Sequence, residues 1–246
     1  MLTKLNFHGL AISDFTGEEL WSEVDSTIRD GKQIVVHWKS LGSPFLMKKT
    51  PGLLEITNDF DIILIDGRGL YLFMKLMGQK LKSELYTSWF TLELLKKAAK
   101  NNYSVMILGA TEDANRAATS NIRSQYQVKT VYTGINGYFT PDEEDSIVEK
   151  INRHAPDILL VGISTPKKEL FAHNHRHHLN ARIIHLCGGM VDVIAGKTKI
   201  TPKWIKKLGL AWLYRIAQEP RRLLIPVISM MWEGFKFAFK IIFRRI

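Results

Sequence analysis

Asp157-Ile158-Leu159-Leu160-Val161-Gly162-Ile163-Ser164-Thr165-Pro166-Lys167-Lys168-Glu169 is the stretch on which the fold turns. Its opening, Asp157–Val161, is an almost unbroken apolar run. A strand half exposed to water would alternate apolar and polar residues, so this one reads as buried on both faces of a parallel sheet. Pro166 then sits where a first helical turn begins, a position that tolerates proline. Moving outward, the same pattern recurs. Strand-like runs occupy Ile34–Trp38, Asp61–Ile65, Ser104–Leu108, Val128–Tyr132 and Arg182–Leu186. Helical patterns fall between them, one opening at Thr16, where Thr16 and Glu19 have capping-box spacing. Others cover about 88–100, 112–126, 141–153 and 165–178, with Pro141 again in a first turn. This alternation predicts an α/β fold, a doubly wound and mostly parallel sheet. Ligands of such sheets bind beyond the carboxyl ends of the strands.

Charge divides the chain. Of 34 Lys/Arg and 24 Asp/Glu, twelve basic and two acidic residues lie between Lys197 and Ile246, so that segment carries the whole net charge of +10. Residues 1–196 read as a neutral core and 197–246 as a basic appendage. The appendage is also rich in Trp and Phe. A membrane's cytoplasmic face answers both features, each Lys/Arg near anionic lipid gaining roughly 1 kcal/mol, whereas nucleic acid answers only the charge. Cys187 is the single cysteine, which excludes an intrachain disulfide and suits a reducing cytoplasm. The N-terminus lacks a signal-peptide pattern, and the longest apolar run, Leu223 to Trp232, is too short to span a bilayer.

The strand ends carry the candidate site. They read Asp66-Gly67-Arg68-Gly69, Gly109-Ala110-Thr111, Gly162 through Glu169, and Gly188-Gly189-Met190-Val191-Asp192. Gly109, Gly162, Gly188 and Gly189 would let backbone approach a ligand closely. Neither a dinucleotide fingerprint nor a P-loop is present. Asp66, at the mouth of an apolar strand, is either a desolvated general base or a turn and helix cap. Lys167 and Lys168 oppose the helix dipole, so they either hold a phosphate there or extend to solvent. Tyr138 either stacks on a base or sugar ring or packs with Phe139. Glu169, His173 and His177 would align along one helix face, but three collinear residues over two turns do not converge on a tetrahedral ion, so no metal is assigned.

The appendage reads Thr201-Pro202-Lys203-Trp204-Ile205, Gly209-Leu210-Ala211-Trp212-Leu213-Tyr214-Arg215 and Gln218-Glu219-Pro220-Arg221-Arg222-Leu223. Beyond Pro226, Glu233, Lys236, Lys240 and Arg244 make one narrow polar stripe among Trp232, Phe235, Phe237, Phe239, Ile241, Ile242 and Phe243. That pattern suits a helix lying in a membrane interface, or one covering the core or a partner subunit.

These blocks, in this order from about Asp61 to Leu224, resemble the WecG/TagA/CpsF family of bacterial glycosyltransferases. The resemblance implies a Rossmann-like enzyme at the inner face of the plasma membrane, peripherally attached. It would move a sugar from a nucleotide donor, usually UDP-linked, to a polyprenyl-diphosphate-linked saccharide for an exopolysaccharide, capsule or wall polymer. Inversion at the anomeric carbon, no metal and no cofactor are implied. Asp66 matches the family's proposed catalytic base, and Tyr138 and Asp192 match nucleotide contacts. Arg215, Arg221 and Arg222 match arginines of an appendage that completes the site, where they could neutralise a diphosphate.

The chain also departs from the family. His37-Trp38-Lys39-Ser40 stands where Thr and Asn are usual, Glu84 replaces an arginine, Trp89 an aspartate and Lys168 a glutamine. Arg68 or Lys168 is expected to restore the lost charge. The competing expectations are a degenerate member that binds nucleotide sugars or membrane without turnover, and a nucleic-acid module, which the apolar face past Trp232 disfavours. The reading allows a homo-oligomer.

Overall fold

The computed structural model describes residues 4–243, leaving aside the side chains of 44, 45, 48, 222, 226, 230, 237, 238 and 240–242. A hairpin opens the chain, β1 (Lys4–Phe7) pairing antiparallel with β2 (Leu10–Ser13). His8 and Gly9 at its tip both have positive φ, as a two-residue turn matched to strand twist requires. Then come α1 (Gly17–Arg29), β3 (Ile34–Lys39), α2 (Ser43–Lys49), α3 (Leu53–Asn58), β4 (Ile62–Ile65) and α4 (Arg68–Leu76). The middle of the chain forms α5 (Thr87–Asn101), β5 (Val105–Gly109), α6 (Glu112–Ser124), a 3-10 turn (Pro141–Glu143) and α7 (Glu144–His154). The core closes with β6 (Ile158–Gly162), α8 (Lys167–His175), β7 (Ile183–His185) and α9 (Met190–Ile194). The appendage is α10 (Lys203–Lys207), α11 (Ala211–Gln218) and α12 (Pro220–Phe243).

Strands β4-β3-β7-β6-β5 form one parallel sheet. Alternate strand residues feed two cores. Val35, Ile63, Leu159 and Ile184 pack with the hairpin, α3, α4, α7 and α8. Val36, Leu64, Leu160 and Ile183 pack with α1, α5, α6 and α9. This is the three-layer arrangement that apolar runs buried on both faces demand. Helix α1 starts as expected: the Thr16 hydroxyl accepts from Glu19 N at 3.2 Å, and Thr16 N donates to the Glu19 carboxylate at 2.8 Å.

Val128–Tyr132 is not a strand. The segment follows the edge of β5 through isolated bridges at Val131 and Ile135. Asn115 of α6 explains the break. Its amide donates to the Gly109 and Ile135 carbonyls, each at 2.9 Å, and its side chain fills the place a Cβ on Gly134 would need. The wedge interrupts the ladder between Tyr132 and Ile135. The reading of 165–178 as helix was also too long, since α8 ends at His175. Helices α2 and α3, and the hairpin, are additions to the expected elements.

The appendage lies against the sheet's carboxyl-terminal edge. Helix α12 runs unbroken from Pro220 to Phe243, through Pro226, and packs on α2. Gly234 permits that approach: a Cβ there would stand 3.0 Å from the Leu41 carbonyl oxygen.

Candidate active site

A cavity of about 430 Å³ opens beyond the carboxyl ends of β3, β4 and β7. The core supplies Asp66, Arg68, Ser88 and Lys168 to its wall, with Gly188 and Gly189 at the β7 end. The appendage supplies Lys199, Lys206, Trp212, Arg215 and Met231. Among the sequence candidates, then, Asp66, Arg68, Lys168, Gly188, Gly189 and Arg215 converge.

Asp66 is placed by β4. Its backbone N–H donates to the Lys39 carbonyl at 2.7 Å, continuing the β3–β4 ladder, and its carboxylate accepts from Thr87 N at 3.0 Å. It therefore caps the first turn of α5 while facing the cavity. Burial raises its pKa, with the Thr87 hydrogen bonds and the Lys206 charge opposing. A carboxylate left more basic than usual suits proton abstraction.

Arg68 pairs with Glu84 at 3.0 Å, and the Tyr86 hydroxyl donates to the other Glu84 oxygen. Burial, then that Glu84 contact, hold the Tyr86 phenol above its ordinary range. Glu84 is thus neutralised by Arg68. Trp89 lies outside the cavity wall, packing on Trp21 with ring centroids 5.6 Å apart.

Lys168 reaches the cavity from a buried cluster. Its ammonium donates to the Thr165 hydroxyl at 2.6 Å and lies 3.5 Å from Glu169. Glu169 is fully buried, and the same oxygen contacts Thr165 at 2.9 Å, His37 at 3.1 Å and Lys39 at 3.3 Å. Burial pushes the Glu169 carboxyl up, but the contact with His37 and the lysine charges outweigh it and hold it well below the carboxylate range. Burial lowers Lys39 to about 8 and His37 to about 3. Glu169 thus faces inward, His173 meets Asp59 at 3.3 Å and His175 meets Glu144 at 2.7 Å. Among the described residues no three His, Cys, Asp or Glu side chains gather as metal ligands.

Arg215 crosses the β7–α9 turn. It donates to the Thr198 hydroxyl at 2.9 Å and pairs with Glu219 at 3.4 Å. Gly189 is what admits it, because a Cβ there would lie 2.9 Å from the guanidinium. Asp192 does not line the cavity. It is buried in α9, where its carbonyl accepts from Lys197 N and Thr198 N at 3.0 and 3.2 Å, turning the chain into the appendage. Cys187, though in the wall, has its thiol pushed up to about 12 by burial and is a poor nucleophile.

The remaining candidates gather over β5 and β6. A Cβ on Gly109, whose φ is +147°, would meet Gly162 backbone at 2.5 Å, and one on Gly162 would meet Val191 at 2.3 Å. Both glycines allow close packing of the strand ends. Lys167 donates to the Gly137 carbonyl at 3.3 Å and to the Phe139 carbonyl, holding the loop that leaves the Tyr138 ring 77% exposed. Lys167 therefore acts on a loop and does not reach the cavity wall. Arg221 is exposed outside the wall, and the Arg222 side chain lies outside the described residues.

A sequence profile of the glycosyl transferase WecG/TagA/CpsF family matches residues 5–246. The chain belongs to that family. The match takes in the hairpin and α12, beyond the Asp61–Leu224 stretch that carries the motifs. The N-acetylglucosaminyldiphosphoundecaprenol N-acetyl-beta-D-mannosaminyltransferase of Bacillus subtilis (strain 168) is 29% identical over 178 residues, 72% of this chain and 69% of that protein. The enzyme of the same name from Bacillus spizizenii is 27% identical over 215 residues, 85% and 82% of the two chains. This WecG/TagA/CpsF member is accordingly a glycosyltransferase with a Rossmann-like α/β fold. Among the described residues no helix is long and apolar enough to cross a membrane.

Sequence reasoning missed Lys206, Lys199, Ser88 and Thr87. The lysines were visible only as members of a basic run, since packing alone decides which of them turn inward.

Proposed function

We propose that this chain transfers a nucleotide-linked hexose or N-acetylhexosamine, carried on UDP, to a saccharide on polyprenyl diphosphate, with inversion. The relatives, named for transfer to N-acetylglucosaminyldiphosphoundecaprenol, support the acceptor class. The observation that carries the reading is the Asp66 carboxylate lining one cavity together with Lys199, Lys206 and Arg215. Asp66 takes the proton of the acceptor hydroxyl as its oxygen attacks the anomeric carbon. The bond from that carbon to the nucleotide diphosphate breaks, and the cationic wall stabilises the departing charge. The exposed Tyr138 ring supports a role in stacking on the nucleotide base, and the exposed Arg221 supports one in holding the lipid diphosphate.

Attachment to the inner face of the plasma membrane is part of the proposal. Trp204, Leu208, Ile225, Trp232 and Phe239 of the appendage are each more than 60% exposed, on the segment that carries the net positive charge. Residues 197–246 then serve as a unit that closes the site and docks it. The product would be a lipid-linked precursor of an exopolysaccharide, capsule or wall polymer.

The test is incubation with a panel of UDP-sugars and a short-chain polyprenyl-diphosphate N-acetylglucosamine. Formation of a disaccharide-lipid with inverted anomeric configuration is expected. Donor binding without transfer across the panel would favour the degenerate reading, to which the consumption of Arg68 by Glu84 lends its one supporting observation.

A further inference from the structure

Helix α10 is five residues long, has no side-chain cap, and exposes Trp204 by 64%, with Leu208 just beyond it at 63%. So short a helix is held by tertiary contacts and not by its own propensity. Its Lys206 points the other way. The ammonium donates to the Ser88 hydroxyl at 2.6 Å and lies 5.1 Å from the centroid of the Tyr86 ring. Ser88 follows Thr87, whose N–H holds the Asp66 carboxylate. The first turn of α5 therefore grips the carboxylate and the cation at adjacent residues.

A half-buried ammonium bonded to a neutral hydroxyl is poorly compensated for the water it has lost. Burial accordingly lowers the Lys206 pKa, and the Asp66 charge is what opposes the fall. The groups around Asp66 can be enumerated by element. Strand β3 offers a backbone carbonyl, and α5 offers Thr87 N. Tyr86 is tied to Glu84, which is itself paired with Arg68. Lys168 is tied to Thr165 and Glu169, and Arg215 to Thr198 and Glu219. Lys199 lines the same cavity. After the Thr87 hydrogen bonds, the Lys206 charge also opposes the rise that burial gives the Asp66 pKa.

We propose that Lys206 is a positioning residue for the base: α10 holds its ammonium on Ser88, next to the residue whose N–H holds the Asp66 carboxylate, and the charge so placed sets the carboxylate's state. This rests on Asp66 being the base. It adds that one five-residue helix presents its aromatic side outward and its charge inward, which links seating of the appendage to the state of the carboxylate.

The decisive experiment titrates Asp66 directly, by the carboxyl carbon-13 shift of aspartate-labelled protein, with the resonance assigned by its loss in Asp66→Asn. Lys206→Met keeps the aliphatic stem and removes the charge, and should raise the Asp66 midpoint measurably above wild type. Lys206→Arg should restore it, and Ser88→Ala, which removes the pin but keeps the charge, should stay near wild type. The acidic limb of the kcat/KM profile should move with the midpoint. An unchanged midpoint in Lys206→Met would overturn the proposal. Equal shifts in Lys206→Met and Ser88→Ala would overturn it too, since α10 would then act as a plug. The titration needs no substrate, so a wild-type protein that transfers no sugar defeats the functional reading alone.

Discussion

Replacing Glu169 by Gln should be among the costliest single changes available to this protein, and its cost should depend on pH in a defined direction. The wild-type carboxylate is fully buried and serves Lys39, which is only 3% exposed, together with Lys168, His37 and Thr165. Removing one partner of a buried ion pair leaves the other charge uncompensated, at about 3–5 kcal/mol. For a domain of this size each kcal/mol lowers Tm by about 2–4 °C, so a fall of roughly 10 °C at pH 7 is expected. Lys39 already titrates at about 8 because of its burial. Without Glu169 its pKa drops further, so the variant is penalised wherever the wild-type lysine is charged. Above pH 8 Lys39 is neutral in both proteins and its share of the penalty disappears. The assay is thermal unfolding of wild type and Glu169→Gln at pH 7 and pH 9. A smaller gap at pH 9 is expected, and the double change Lys39→Met with Glu169→Leu should recover much of the loss. A Tm within roughly 2 °C of wild type, on the scale of an ordinary surface change, would refute the reasoning, as would a gap that does not narrow.

Three further outcomes follow from the geometry. Gly162→Ala, whose Cβ would lie 2.3 Å from Val191, should lower stability by about 1–3 kcal/mol through overpacking, as measured by urea unfolding. Gly189→Ala meets only the far end of Arg215, so Tm should hold while the guanidinium is displaced and donor affinity falls, a split readable by calorimetric titration with UDP-sugar. Trp232→Ser with Phe239→Ser, at positions 63% and 61% exposed, should leave Tm unchanged and weaken sedimentation with anionic liposomes at least tenfold, a loss of about 1.4 kcal/mol or more.

The parallel sheet was legible because its strands are buried on both faces and therefore spelled as plain apolar runs, and Asp66 was legible because it ends one of them. The broken edge at Val128–Tyr132 was not, since a strand and a segment interrupted by the Asn115 side chain share the same composition. Helices α2 and α3 are short and their register is set by packing, α2 on α12 and α3 on the hairpin and α8, which leaves little periodicity to read. At the site, local sequence singled out Arg68 and Lys168 as spare cations, yet each is engaged by an acid, Glu84 sixteen residues away and Glu169 next door. Lys206 was one lysine among many until the fold placed it opposite Ser88. Charges on a tail can be counted in a sequence, but which of them turns inward is a tertiary fact.

The most direct measurement is the single-turnover rate of sugar transfer by wild type and Asp66→Asn at matched donor occupancy. Loss of a positioned general base predicts a rate about 10²–10⁴ lower with donor affinity preserved. Transfer by Asp66→Asn within a few-fold of wild type would contradict the account at its centre.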